Sequence, residues 1–236
     1  ALAEDSMKFN FYYAASPMCS PTRASIMTGK SPARTGITQW LPGDLNTGGR
    51  YDCPTPTQFL NRDEVTLGEA FQEAGYETCF LGKWHMGPLK QGTPKDHGFD
   101  HEGGLIQENG ARMFYPFNGS KNKPLFPGKE GDYFNDTITN HAIDFIKKKK
   151  EKPFLLYLSH FAMHLPLDSK KDLLQKFSEK KDKLGLSTKG YSDKYSHIKL
   201  QMNQYSPTYA GELANLDEHI GRLRDALKES GQYENT

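Results

Sequence analysis

Apolar positions along this chain recur with two different periods. Between residues 133 and 150, Ile138, Ala142, Ile143 and Ile146 fall at helical spacing, and lysines close the segment as a helix C-terminus prefers. Pro153 stops that helix. Phe154 to Leu158 (FLLYL) is then a continuous apolar run, the pattern of a strand buried on both faces of a parallel sheet. Tyr76 to Leu81 (YETCFL) reads as another strand. It follows a helix that opens at Thr66, with Glu69 three residues on as a capping box, and closes at Gly75. A shorter helix is marked by Ser20 as its cap, Pro21 at its first position and Gly29 just past Thr28. From Ser206-Pro207 onward, Leu213, Leu216, Ile220, Leu223 and Leu227 share one face of a last long helix that ends before Gly231.

Two helix-then-strand units, each followed by a polar loop, predict an α/β fold with a parallel sheet. Ligands of such sheets sit outside the carboxyl ends of the strands, so Gly82 to Gly87 and Ser159 to Pro166 are the loops that matter. Residues 34–61, rich in Gly, Pro and Thr, and 168–205, rich in Lys and Ser, read as insertions on the surface. The lysines there form a solvated face, with attraction of a polyanionic substrate as the alternative.

Composition narrows the class. Lys and Arg number 30 against 29 Asp and Glu, which argues against a general nucleic-acid binder. No apolar run approaches the roughly 18 residues of a membrane span, and no signal peptide is visible. Three cysteines, an odd number, do not make a disulfide framework; Cys53 and Cys79 could pair or stay reduced.

Cys19-Ser20-Pro21-Thr22-Arg23 carries the chemistry. The cysteine lies just outside the predicted helix start, where unpaired backbone N–H groups and the positive dipole end favour an anion. Arg23, which does not help the helix there, offers a guanidinium fork for an anion or a metal-bound oxygen. Gly82-Lys83-Trp84-His85-Met86-Gly87 follows the first predicted strand. In an extended segment Lys83 and His85 face one way, a cation and an imidazole suited to an anionic ester and to proton transfer. His160 and His164 follow the second strand.

With those residues in view, CSPTRASIMTGKSPARTG resembles the signature segment of the type I sulfatases, formylglycine-dependent members of the alkaline-phosphatase-like superfamily. LGKWHMG resembles their second signature, and FLLYLSHFAMHLP their segment with a histidine two residues before a proline. YAGELANLDEHIGRLRDALKESG resembles the helix that precedes their Asp-Asn metal loop. The resemblance implies a mostly parallel sheet flanked by helices on both faces. Residues 1–236 would be the central part of one catalytic domain, incomplete at both ends, and unstable and inactive on their own.

The resemblance also implies roles. Cys19 would be converted to formylglycine, directed by Pro21 and Arg23. The hydrated aldehyde would attack sulfur and release the alcohol, and its second hydroxyl would then expel sulfate. Arg23 would hold the formylglycine side, Lys83 would bind sulfate, and His85 would contact the formylglycine hydroxyl as a base. His164 would contact sulfate and protonate the leaving oxygen; His160 receives no role. One Ca²⁺ ion would neutralise the ester, with position 19 as a ligand and the remaining ligands outside this sequence. The implied partners are a sulfated small molecule or glycan and a formylglycine-generating or anaerobic sulfatase-maturating enzyme. A periplasmic, extracellular or lysosomal location goes with them. The expected reaction is hydrolysis of a sulfate ester, a sulfated carbohydrate ahead of an aryl sulfate. The alternatives are a phosphodiesterase or phosphonate monoester hydrolase of the same superfamily, and a non-catalytic anion-binding protein.

Overall fold

The computed structural model describes residues 2–4, 6–43, 50, 54–106, 112–117, 125–148, 151–187, 191–195, 198–201 and 204–236. They fall into two compact units, Ala1–Asn109 with Lys148–His160, and Gly110–Lys147 with Phe161–Thr236.

The first unit holds helices α1 (Cys19–Thr28), α2 (Pro32–Thr35) and α3 (Leu67–Glu73) and strands β1 (Glu77–Lys83), β2 (His101–Ile106) and β3 (Phe154–Ser159). The capping box at α3 forms as expected. Thr66 Oγ1 accepts from the Glu69 N–H, and the Thr66 N–H donates to the Glu69 carboxylate at 2.8 Å. The three strands are parallel in the order β2-β1-β3. Pairing of β1 with β3 runs from Glu77 opposite Phe154 to Gly82 opposite Ser159, so their carboxyl ends lie side by side. Pairing of β1 with β2 slips between Leu81 and Lys83.

Phe80 is the hub of this unit's core. It meets Trp84 and Phe99 edge-on, at 5.3 and 5.4 Å, and stacks on Tyr157 at 5.1 Å. Ala24 and Met27 of α1, together with Ile37, Leu41, Leu60 and Met86, close over it. Residues 34–61, expected to be a surface insertion, therefore contribute Ile37, Leu41 and Leu60 to the core. β3 is half-buried rather than buried on both faces, because it ends the strand order among the described residues. β1 runs two residues past its expected end, and Cys79 on it is buried. β2 had no signal in the sequence: HEGGLI begins with charge and contains two glycines. Cys53 lies outside the described residues.

The second unit holds α4 (Phe134–Lys147), α5 (Lys171–Lys183), the antiparallel pair β4 (Tyr191–Tyr195) and β5 (Ile198–Gln201), and α6 (Pro207–Glu229). Stretch 168–205 is thus largely regular structure. Ser206 caps α6 as read, its hydroxyl accepting from the Tyr209 N–H at 3.3 Å. The face that α6 buries differs from the one read. Gly211, Glu212, Asn215, His219 and Ala226 are buried, while Leu213 and Ile220 are exposed. Polar residues face inward because partners wait there. Asp136 of α4 accepts from His219 Nε2 at 2.7 Å, from Asn215 at 3.3 Å and from Lys170 at 2.9 Å. Gly211 lets the loop before α5 come close, since a Cβ there would lie 2.2 Å from Ser169 Oγ. No described helix is long and apolar enough to cross a membrane.

Candidate active site

Local hydrogen bonds set the start of α1. Its cap is Met18, whose side chain makes no capping bond, so the helix begins at Cys19 and not after Ser20. Ser16 and Thr22 do the capping work instead. The Met18 N–H donates to Ser16 Oγ at 3.2 Å, and Thr22 Oγ1 donates to the Ser16 carbonyl at 2.6 Å. Cys19 is therefore the first helical residue, and Pro21 sits third, still where a missing N–H costs nothing. Gly29 closes the helix at φ 67°, as read. The Cys19 thiol is half-buried and reduced. It lines a pocket of about 460 Å³ together with Ala14, Thr22, Arg23, Tyr157 and Ser159.

Arg23 points to the strand ends. Its Nη1 donates to the Lys83 carbonyl at 2.6 Å and to Ser159 Oγ at 2.5 Å. Burial makes its guanidinium a stronger acid than an ordinary arginine, with Tyr157 and Cys19 acting against that. Lys83, fully buried at the end of β1, hydrogen-bonds Cys19 through its side chain. Burial pushes the ammonium down to about 8; a thiolate at Cys19 raises it and the charge of Arg23 lowers it further.

His85 departs from expectation. Its backbone is left-handed at φ 51°, which breaks the alternation with Lys83 and costs ~1–2 kcal/mol for a non-glycine residue. The buried ring donates from Nε2 to the Leu41 carbonyl at 2.5 Å, which makes Nδ1 the proton-accepting nitrogen. That anchor is Leu41, within the stretch read as an insertion.

Cys19, Arg23, Lys83 and His85 all belong to the first unit. His164 belongs to the second, in a turn closed by its own N–H on the Phe161 carbonyl at 3.2 Å. Its Nδ1 donates to the Leu165 carbonyl at 2.6 Å, and its ring lies 4.8 Å from that of Phe161. Nε2 is then the nitrogen that exchanges a proton. His160 is half-buried at the end of β3. Sequence reasoning placed Ser159 at the start of a loop of interest without giving it a role, and missed Tyr157. Their signal was positional: both close the strand FLLYLS beside the end of β1.

Among the described residues, no three or more His, Cys, Asp or Glu side chains come together as a cation site. Calcium needs six to eight oxygens. The described donors do not meet that need.

The family model described as Sulfatase matches residues 1–236. The uncharacterized sulfatase YdeN of Escherichia coli (strain K12) is 27% identical over 266 residues, covering 100% of this chain and 40% of that protein. An arylsulfatase of Klebsiella aerogenes is 27% identical over 284 residues, covering 100% of this chain and 58% of that protein. The crystal structure of Ps i-CgsB in complex with k-i-k-neocarrahexaose superposes with a TM-score of 0.68 at 29% identity, over 95% of this chain and 47% of that one. The chain thus spans about half the length of the relatives it matches.

Proposed function

This chain belongs to the sulfatase family, and from that premise we propose that its Cys19 site works in the hydrolysis of a sulfate ester. Both units are read as parts of one catalytic domain. The observation that carries the reading is the hydrogen bond of the buried Lys83 side chain to Cys19, at the first residue of α1 and beside Arg23. Two cations and a helix start meeting one side chain make a place for the single negative charge that a sulfate ester spreads over three oxygens.

Position 19 fits a formylglycine: it is half-buried, opens on the pocket and is held by Lys83. Hydrated, that group supplies an oxygen nucleophile toward sulfur and a second hydroxyl whose deprotonation frees sulfate. Lys83 neutralises the ester oxygens and keeps water from replacing them. Arg23 holds the side chain of position 19 against the strand ends. His85, anchored through Nε2, takes a proton at Nδ1. His164 gives a proton from Nε2 to the departing alcohol. The sequence Cys19-Ser20-Pro21-Thr22-Arg23 is what a formylglycine-generating or anaerobic maturating enzyme would read. A sulfated carbohydrate is the preferred substrate, in line with the oligosaccharide bound by Ps i-CgsB. Export to the periplasm, cell surface or lysosome belongs to the same reading.

Mass spectrometry of the peptide containing Cys19 tests the nucleophile. Conversion lowers its mass by about 18 Da, and an intact thiol in protein from the native host would sink the reading in favour of an anion binder. Turnover of aryl sulfates and defined sulfated sugars against aryl phosphate diesters tests the reaction. A large preference for the diesters would move the chain to phosphodiester chemistry.

A further inference from the structure

We propose that Ser159 is a positioning residue for this site, fixing the Arg23 guanidinium and the Lys83 backbone in one geometry. The proposal rests on the reading of Cys19, Arg23 and Lys83 given above.

A serine hydroxyl has one proton to give and lone pairs to accept with. Ser159 uses both. Its Oγ donates to the Lys83 carbonyl at 2.9 Å and accepts from Arg23 Nη1 at 2.5 Å. Arg23 Nη1 closes the triangle on the same carbonyl at 2.6 Å. One buried hydroxyl thereby ties the helix that begins at Cys19 to the ends of β1 and β3. The tie falls where the sheet itself gives least support, because the pairing of β1 with β2 slips between Leu81 and Lys83. On the β3 side, Ser159 stands opposite Gly82 and holds the carbonyl of the next residue. Arg23 Nε is buried without a hydrogen-bond partner among the described residues, so the two Nη1 bonds carry the orientation of the head group. Removing the Ser159 hydroxyl leaves the carbonyl with one donor, lets the guanidinium turn, and loosens the hold of Lys83 on Cys19.

The test uses Ser159→Ala and Ser159→Thr with two readouts. The first is the time profile of iodoacetamide alkylation at Cys19 at one fixed pH, followed by mass spectrometry of its peptide in protein that keeps the thiol. Ser159→Ala should change the alkylation rate at least about threefold, because Lys83 no longer holds the thiol in one place, while Ser159→Thr should leave it unchanged. The second is turnover of the sulfate ester by converted protein. Ser159→Ala should lower kcat roughly 10–100-fold with a smaller change in KM, and Ser159→Thr should restore it. The loss should not add to that of Arg23→Lys, since Ser159 acts through Arg23. An unchanged alkylation rate in folded Ser159→Ala protein, or a fully additive pair with Arg23→Lys, overturns the proposal. If Ser159→Ala does not fold, Ser159→Cys keeps the volume, weakens the donor and carries the same comparison. Should the wild-type chain turn over no sulfate ester, the functional reading fails while the alkylation profile still decides on Ser159.

Discussion

The polar knot around Arg23 in the first unit and the one around Asp136 in the second are built on opposite charge arrangements. Around Asp136 a carboxylate sits among cations and neutral donors. Burial on its own would raise that carboxyl, but hydrogen bonds from His219, Lys170 and Asn215 outweigh it and hold the group well below the ordinary carboxylate range. Arg222 completes the set, with Nη1 at 3.1 Å from His219 Nδ1 and Nη2 on Asn140 at 2.5 Å. Around Arg23 the charges do not cancel. Among the described residues no carboxylate pairs with the guanidinium; a carbonyl and a hydroxyl take its protons. Burial makes both Arg23 and Lys83 more acidic than exposed cations of their kind. A carboxylate held by its own donors is a structural tie, whereas a buried guanidinium held by neutral oxygens is what the proposed function needs for an anionic substrate.

The strongest way to break this contrast is Cys19→Ala, which should reduce sulfate-ester turnover to background, by at least ~10⁴-fold. Retained turnover would remove position 19 from the chemistry. Next, Lys83→Ala should cost roughly 10²–10⁴ in kcat/KM, and His164→Ala a loss in the same range. Near-normal rates in either variant strike that residue from the site.

Asp136→Ala should act on stability instead. Thermal unfolding should show a loss of about 1–3 kcal/mol, as buried His219 and Asn215 lose their acceptor, with the Cys19 alkylation profile unchanged. The sign with pH follows from the depressed carboxyl. Its contribution is present above the unfolded value of about 4 and drains away as pH falls below it. A changed alkylation rate in Asp136→Ala would mean that the two knots are not independent. The mildest test is the alkaline limb of the rate profile. Lys83, down at about 8, loses its proton above that pH, so kcat/KM should fall about tenfold per pH unit on that side. A limb displaced toward pH 10 would show that Lys83 titrates as an exposed lysine.

Much of the candidate site is legible in the sequence. Cys19, Pro21, Arg23, Lys83 and His85 stood out because residue type and close spacing carry that information. What spacing could not show was which atoms those groups hold. Alternation placed His85 beside Lys83, and a left-handed residue at 85 undid it, sending the ring to Leu41. Ser159 was read as the first residue of a polar loop, with no role of its own, and the register with β1 puts it against Lys83.

The sequence by itself settled the helix caps at Thr66 and Ser206, the stop at Gly29, the strand after Pro153 and the motif around Cys19. Each depends on neighbours within a few residues, where backbone sterics and local hydrogen bonds act. Only the tertiary structure decided that α6 buries Glu212, Asn215 and His219 ahead of Leu213 and Ile220. The same holds for Arg23, which spans 60 residues to Lys83 and 136 to Ser159. A buried polar group goes wherever its hydrogen bonds can be met, and a partner that distant in the chain is found only by folding.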